Sequence, residues 1–272
     1  MPSDAKPTWS TAVSDVEDAD VHVRGYALSD VIGTLPFSAA TFLMIRGRVP
    51  NPGEAGMMDA ILCSVLDYAL HKPGTVAARY CVSGNPNMVA GLATAMLSVG
   101  EYTLAPDDAG RFIHETHAAW RASGKDRDAA ASELAKRLVG ERARVPGFGH
   151  PKFRHTDPRA AKLKDIARGT GVWGEACDWY EAVHAAFVAE IGKPDLVVNE
   201  VGMMAAIMVE MGFTPAEMTG IAAISSLPGV IAHVSEELQS KVRIRVVPDD
   251  MVEYSRGRKQ LKADLAAAGW KA

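Results

Sequence analysis

Cysteine is scarce in this 272-residue chain: Cys63, Cys81 and Cys177 are scattered, with no CxxC pair. That excludes a disulfide framework and a cysteine-based zinc site, and it fits a reducing cytoplasm, where we expect the protein to reside. An excess of positive charge is also missing. Lys and Arg number 29 against 33 Asp and Glu, a net charge of −4, and the basic residues are dispersed, so no nucleic-acid footprint is expected. No uninterrupted apolar run reaches bilayer length, and residues 1–20 are polar and acidic without an apolar h-region. Neither a membrane span nor a signal peptide is expected. Internal repeats and low-complexity tracts are absent too. What remains is an ordinary soluble composition, 48% hydrophobic and 23% charged, with length enough for one large core or two unequal lobes.

Periodicity and punctuation predict helices almost throughout. Residues 21–26 alternate and turn like a short hairpin, after a loose arm over 1–20. A buried helix is expected over 36–45, stopped near Gly47. Asn51 followed by Pro52 marks a helix start, and Met57, Met58, Ile61, Leu62, Val65 and Leu66 fall at helical spacing. After a break at Lys72-Pro73-Gly74, helices are expected over 75–82 and 88–99. The second is rich in small residues (Gly91, Ala93, Ala95), which suit close helix contact, either within the chain or across a homodimer axis. More charged amphipathic helices follow over 107–123 and 127–138, then others over 158–168, 175–191 and 203–211. Thr214 to Glu217 is a capping box that opens a further helix, interrupted at Pro228-Gly229. Residues 242–247 are the best strand candidate, and a charged helix over 259–268 closes the chain. Gly169, Gly171 and Gly174 match a dinucleotide fingerprint by letter. A charged helix rather than a strand precedes them, so no nucleotide site is read there.

The chain is organised around residues 145–159. Pro146 fixes φ, while Gly147 and Gly149 permit conformations closed to other residues, so the chain bends and delivers His150 at the end of the bend. Such a bend leaves backbone N–H and C=O groups free to face a ligand. Lys152, Arg154 and Arg159 add cations, and Thr156-Asp157-Pro158 opens a helix. A bend, an imidazole and guanidinium groups beside a helix start make a device for reading anions and polarising carbonyls. Taken alone, an ordinary Gly-Pro turn with a capping His remains an equal reading.

The order of residues points further. Gly147-Phe148-Gly149-His150-Pro151 followed by Asp157-Pro158-Arg159 resembles the signature of the citrate synthase superfamily, and the likeness extends from Arg24 to about Tyr254. It is greatest to the compact citryl-CoA lyase branch, which includes the lyase module of ATP-citrate lyase. The resemblance implies an all-α, two-lobed fold, with a large lobe from 1–106 and 213–272 and a small inserted lobe from 107–212. It implies that His150 hydrogen-bonds a keto or hydroxyl oxygen and that Arg159 grips a substrate carboxylate, with Arg245 as the second such arginine. It implies too that coenzyme A, as part of an acyl-CoA substrate or product, is received by the loop Pro146, Gly147, Phe148 and Gly149 with Lys152 and Arg154. Tyr68 stands where synthases bind oxaloacetate with a His, and Leu104 where a His polarises acetyl-CoA; the lyase branch lacks the latter too.

One departure is more serious. The family's Asn-x-Asp-Gly is Asn199-Glu200-Val201-Gly202 here, so Val201 occupies the place of the general acid/base. Glu200, one residue away, is the candidate replacement, provided the backbone turns it inward. The expected activity is cleavage of a 3-hydroxy-carboxyacyl-CoA such as citryl-CoA into acetyl-CoA and a 2-keto acid. A synthase-like acyltransferase on other substrates, and a non-catalytic CoA-ester-binding homologue, remain as alternatives. The expected partners are an acyl-CoA, a di- or tricarboxylate and a second copy of the chain; no metal or redox cofactor is implied.

Overall fold

Most of the helices in the chain start at a capping residue or a proline. In the computed structural model, which describes residues 9–100 and 102–270, the first elements are nonetheless strands. β1 (Ser14–Val16), β2 (Val21–Val23) and β3 (Tyr26–Ala27) form a small antiparallel sheet in that order. The β2–β3 pair is the expected hairpin. β1 corrects the loose-arm reading of 1–20 for its described part, because Ser14 pairs with Val23 and Val16 with Val21; residues 1–8 of that arm lie outside the described residues.

Helices then follow one another. α1 (Leu28–Val31) is one turn, and α2 (Phe37–Arg46) ends at Gly47, whose φ of 72° supplies the left-handed cap. Asn51 and Glu54 form a reciprocal capping box at the head of α3 (Pro52–Ser64), with Pro52 in the first helical position. α4 (Pro73–Gly84) and α5 (Met88–Leu97) pack side by side, followed by α6 (Asp107–Ser123) and α7 (Arg127–Gly140). Asp157 caps α8 (Pro158–Gly169); α9 (Glu175–Ile191) and α10 (Glu200–Glu210), capped by Asn199, come next. The long α11 (Pro215–Ser240) opens on the Thr214–Glu217 capping box, and α12 (Leu261–Ala267) closes the described chain. The fold is all-α, as expected.

The main apolar core gathers Phe42, Met57, Ile61, Leu163, Tyr180, Phe213 and Ile221 around α10, on which every residue from Gly202 to Met208 is buried. Residues from both expected lobes contribute to it. A second cluster joins α7 to α9 through Leu134, Leu138, Trp179 and Val183, and a third joins α4, α5 and α11. A helix buried on all sides gives its N-terminus little freedom. Glu200 sits on the first turn of α10, one residue after the cap.

Two expectations are corrected. Pro228 does not interrupt α11, which runs continuously for 26 residues. Pro228 has no N–H to offer the helix ladder, and the next amide, that of Gly229, donates to Leu66 O at 3.1 Å, where a Cβ on Gly229 would lie 2.2 Å from that oxygen. By length and composition alone α11 is apolar enough to cross a membrane, yet here it is packed against α3, α4, α5 and α6. Residues 242–247 form no strand. No described strand lies alongside them, and the amides of Ile244 and Arg245 donate instead to Ser83 O and Ser83 Oγ; propensity without a partner edge does not make a sheet. Finally, Gly91 and Ala95 of α5 face inward. A Cβ on Gly91 would meet Val234 and Val82, so Gly91 and Ala95 serve packing within the chain, while Ala93 lies on the exposed face.

Candidate active site

The bend and the α10 cap are built against each other. Gly147 has φ +83°, and a Cβ there would lie 2.2 Å from the Tyr180 hydroxyl and 2.5 Å from Gly202 Cα. Phe148 and Val198 form an antiparallel bridge, Asn199 N donates to Gly147 O at 2.9 Å, and Asn199 Nδ2 donates to Gly149 O at 2.8 Å. Gly149 N reaches Val197 O at 2.7 Å and Phe148 N reaches Val145 O at 3.3 Å. These bonds correct one expectation: the Gly147 carbonyl and both backbone groups of Gly149 do not stand free for a ligand but tie the bend to residues 197–199, and the Phe148 amide closes it on Val145. The Phe148 ring likewise packs among Tyr180, His184 and Phe187. The glycines fix where His150 stands relative to Glu200. Gly147→Ala should therefore cost on the order of 2–3 kcal/mol by overpacking and strained φ, read as a lowered urea midpoint.

The imidazole of His150 is oriented by its own loop. Its Nδ1 accepts from the amides of Lys152 and Phe153, both at 3.1 Å, and Phe153 stacks on the ring at 4.4 Å. A ring nitrogen that accepts two N–H groups carries no proton, so the neutral ring holds its proton on Nε2. Burial, and then the charge of Arg159, push the His150 pKa below its usual value and keep the ring neutral. Nε2 lies 3.2 Å from Arg159 Nη2. In that tautomer the contact sets donor against donor, and a ligand oxygen accepting from both would relieve it.

Arg159 is the hub. Its Nε and Nη2 donate to the two oxygens of Asp157 at 3.1 and 2.8 Å, and Nη2 also meets Glu200 Oε2 at 2.8 Å. Asp157 is wholly buried; it caps α8 by accepting from Arg159 N and also accepts from Glu200 N at 3.2 Å. A single carboxylate thus sets the guanidinium and the head of α10 together. His150, Asp157 and Glu200 bring ligand atoms within 4.8 Å of one another, a spacing a metal could use, but the cation among them is Arg159. Burial raises the pKa of Glu200, with Arg159 pulling the other way and Asp157 adding to the rise. On the first turn of α10, Glu200 turns its carboxylate toward Arg159 and His150.

A cavity of about 310 Å³ opens onto this cluster, walled by Asp67, Tyr68, His71, Lys72, Leu104, His150, Arg159 and Glu200. Tyr68 stands edge-on to His150 with ring centroids 6.0 Å apart, and the Arg159 guanidinium lies 5.4 Å from its ring centre. Leu104, held at φ +57° after the short Gly100–Thr103 turn, lines this cavity and a neighbouring one of about 280 Å³. The neighbour is walled by Arg144, Pro146, Gly147, Asn199 and Val201. Glu200 and Val201, adjacent in sequence, thus face different cavities.

The remaining expected residues divide. Lys152 lies at the rim, its Nζ 3.0 Å from His71 Nε2. Arg154 is exposed; it donates to His150 O at 2.6 Å and lies 3.7 Å from Asp195, so it braces the loop. Arg245 does not line the cavity of its own chain. Its guanidinium is bound by Glu237 at 2.6 and 2.9 Å, a buried carboxylate that Arg79 also grips. Sequence reasoning missed Asp157 as a site residue, seeing only a capping type, and it missed Lys72 and Arg144. Asp157 had a legible signal, since a carboxylate two residues before an arginine at a helix start can fold back onto it.

Comparison with known proteins agrees with this geometry. Residues 33–246 match the family model described as citrate synthase, C-terminal domain. Citrate synthase 2 of Bacillus subtilis (strain 168) is 26% identical over 204 residues, 74% of this chain and 52% of that protein. The chain spans about half the length of the curated relatives it matches. Among solved structures, citryl-CoA lyase from Hydrogenobacter thermophilus superposes with a TM-score of 0.85 at 33% identity, covering 93% of this chain and 97% of that one. ATP citrate lyase from Methanothrix soehngenii, solved with citrate and coenzyme A, gives 0.80 at 19% identity over 94% of this chain and 43% of that one, a likeness of fold.

Proposed function

This chain belongs to the citrate synthase family, and on that premise we propose that it is a citryl-CoA lyase-like enzyme. It would cleave a 3-hydroxy-carboxyacyl-CoA such as citryl-CoA into acetyl-CoA and a 2-keto acid. The observation that carries the reading is the convergence of His150 Nε2 and Glu200 Oε2 on one guanidinium, at 3.2 and 2.8 Å, at the wall of a cavity of about 310 Å³. The near end-to-end likeness to a citryl-CoA lyase supports it.

Cleavage moves one proton from oxygen to carbon. Ionised Glu200, its basicity raised by burial, takes the hydroxyl proton as the carbon–carbon bond breaks. The oxygen's electrons form the keto C=O, and the bonding pair passes to the thioester carbon fragment as an enolate. Glu200 then returns its proton to that carbon, giving the methyl of acetyl-CoA, so the step balances with no further reactant. His150 holds the oxygen through Nε2–H, and Arg159, whose Nη1 takes no part in the Asp157 and Glu200 contacts, binds a carboxylate. Pro146 and Gly147 with Arg144 wall the neighbouring cavity, where the CoA portion would lie. Closure of the two lobes over the cleft would protect the thioester from water.

Incubating the purified protein with citryl-CoA and following acetyl-CoA and oxaloacetate tests the reading. A second reading is favoured by Val201 alone: a CoA-ester-binding homologue without turnover, which the same experiment would reveal as binding without products.

The homodimer belongs to the same proposal, on a changed basis. Opposite the packed face of α5, Val89, Ala93 and Leu97 are exposed in an i, i+4, i+8 stripe, with Leu97 87% exposed. Sedimentation should give twice the 29.0 kDa chain mass, and Leu97→Glu should shift the population to monomer.

A further inference from the structure

We propose that Lys72 is a self-acylation site: its side-chain amine, on the wall of the cavity at Glu200, takes the acyl group from an acyl-CoA thioester bound there. This rests on the reading of that cavity and its neighbour as an acyl-CoA site, and it adds a covalent outcome that cleavage does not require.

Lys72 differs from the other lysines. Among those described, only Lys72 and Lys164 are drawn back from full exposure, and Lys164 is paired with Glu181. Lys72 lines the cavity of about 310 Å³, and its Nζ makes no hydrogen bond or ion pair with the described residues. Lys152, at the rim, meets His71 instead. The carboxylates whose charges reach the Lys72 ammonium are those of Asp67 and Glu200, both on the cavity wall, so the head of the side chain lies toward the cavity.

Two effects favour the uncharged amine, which is the nucleophilic form. Burial pushes the Lys72 pKa down, with Asp67 and Glu200 pulling the other way. Lys72 is also the residue on which α4 begins, with Pro73 in the first helical position, so an ammonium there adds to the positive end of the helix dipole. A half-desolvated lysine without a counter-ion in contact, beside a like partial charge, is an activated amine.

The electrophile comes from the proposed reaction. There Glu200 serves the carbon next to the thioester carbonyl, and the CoA portion lies in the neighbouring cavity. Leu104 lines both cavities, so the thioester passes from one to the other beside it. The Lys72 nitrogen adds to the thioester carbonyl carbon and the carbon–sulfur bond breaks, its electron pair going to sulfur. The proton shed by nitrogen ends on that sulfur. The products are an amide on Lys72 and the free CoA thiol, so the step balances with no further reactant. The amide carries no charge and fills part of the cavity in which it formed, so acyl-CoA held there without a keto acid blocks the site.

Incubating the full chain with acetyl-CoA, followed by peptide mass spectrometry, tests this. Lys72 should gain an acetyl group faster than exposed Lys136 and Lys193 by about tenfold or more, because a bound thioester is presented at high effective concentration. The rate should saturate with acetyl-CoA and fall when free CoA competes, and release of CoA thiol should drop in Lys72→Arg. Acetylation no faster than at the exposed lysines, or a rate at Lys72 that never saturates, would overturn the assignment, since either is the reaction of free solution. An unmodified Lys72 in protein that calorimetry shows to bind acetyl-CoA would overturn it too, with the acyl-CoA site intact. Protein that does not bind acetyl-CoA would overturn the acyl-CoA reading itself, and the role of Lys72 with it.

Discussion

His150→Ala should lower turnover of citryl-CoA on the order of 10²–10³-fold, with little change in the affinity for free coenzyme A. The group lost is the Nε2–H donor to the oxygen on which charge develops as the carbon–carbon bond breaks. Alanine also removes the Nδ1 acceptor that ties the amides of Lys152 and Phe153, so part of any loss could come from a loosened loop. His150→Asn separates the two effects. Its side-chain oxygen can take the place of Nδ1 and keep the loop, but it offers nothing at the Nε2 position. If the donor matters, Asn should be as slow as Ala while its melting temperature stays at the wild-type value. Because burial holds the His150 pKa low, the ring is neutral at pH 7 and the donor does not depend on catching a titrating imidazole. Turnover in the Asn variant equal to wild type would reduce His150 to a residue that shapes the turn.

How much of this was legible beforehand differs by element. Helix starts were readable to the residue where capping is local: Asn51 with Pro52, Asp157 with Pro158, and Thr214 with Glu217 announce themselves within four positions. The run 242–247 misled because a strand is defined by a neighbour, and Ser83, which takes its amides, lies about 160 residues away in sequence. Pro228 misled for a similar reason, since the carbonyl of Leu66 that accommodates it belongs to a distant loop. At the site, His150 and Arg159 were legible through their motif. Lys72 was not, because only the folded chain shows that it stands on a cavity wall with no anion in contact. The glycines of the bend were read for the right conformation and the wrong purpose. The missing Cβ of Gly147 admits Tyr180 and Gly202, and that of Gly149 faces Leu196.

Glu200→Gln should abolish turnover, by about 10³-fold or more, and at the same time leave the folded protein at neutral pH as stable as before or more so. Both halves follow from one fact, that burial lifts the Glu200 pKa above its ordinary 4.5 despite the Arg159 contact. A carboxyl group whose folded pKa is raised binds its proton more tightly in the native state. Its favourable contribution is complete below the unfolded pKa near 4.5 and disappears as pH rises through the folded value. Ionised Glu200 at pH 7 is therefore a burden that the fold carries, and the uncharged isostere removes it. Asp157 still holds Arg159 in the variant, so the guanidinium is not abandoned. Thermal melts at pH 7 should place Glu200→Gln at or above wild type, and the difference should shrink as both are taken below pH 4.5. In the wild type, the acid limb of kcat/KM should fall above the usual carboxylate range, because only the ionised group can accept the hydroxyl proton. A merely structural Glu200 would give the opposite pattern, with a lowered melting temperature and turnover preserved in whatever fraction stays folded. Val201→Asp offers no substitute at the same place. Its side chain faces the neighbouring cavity, and it should not restore turnover to Glu200→Gln unless the proton is delivered from that side.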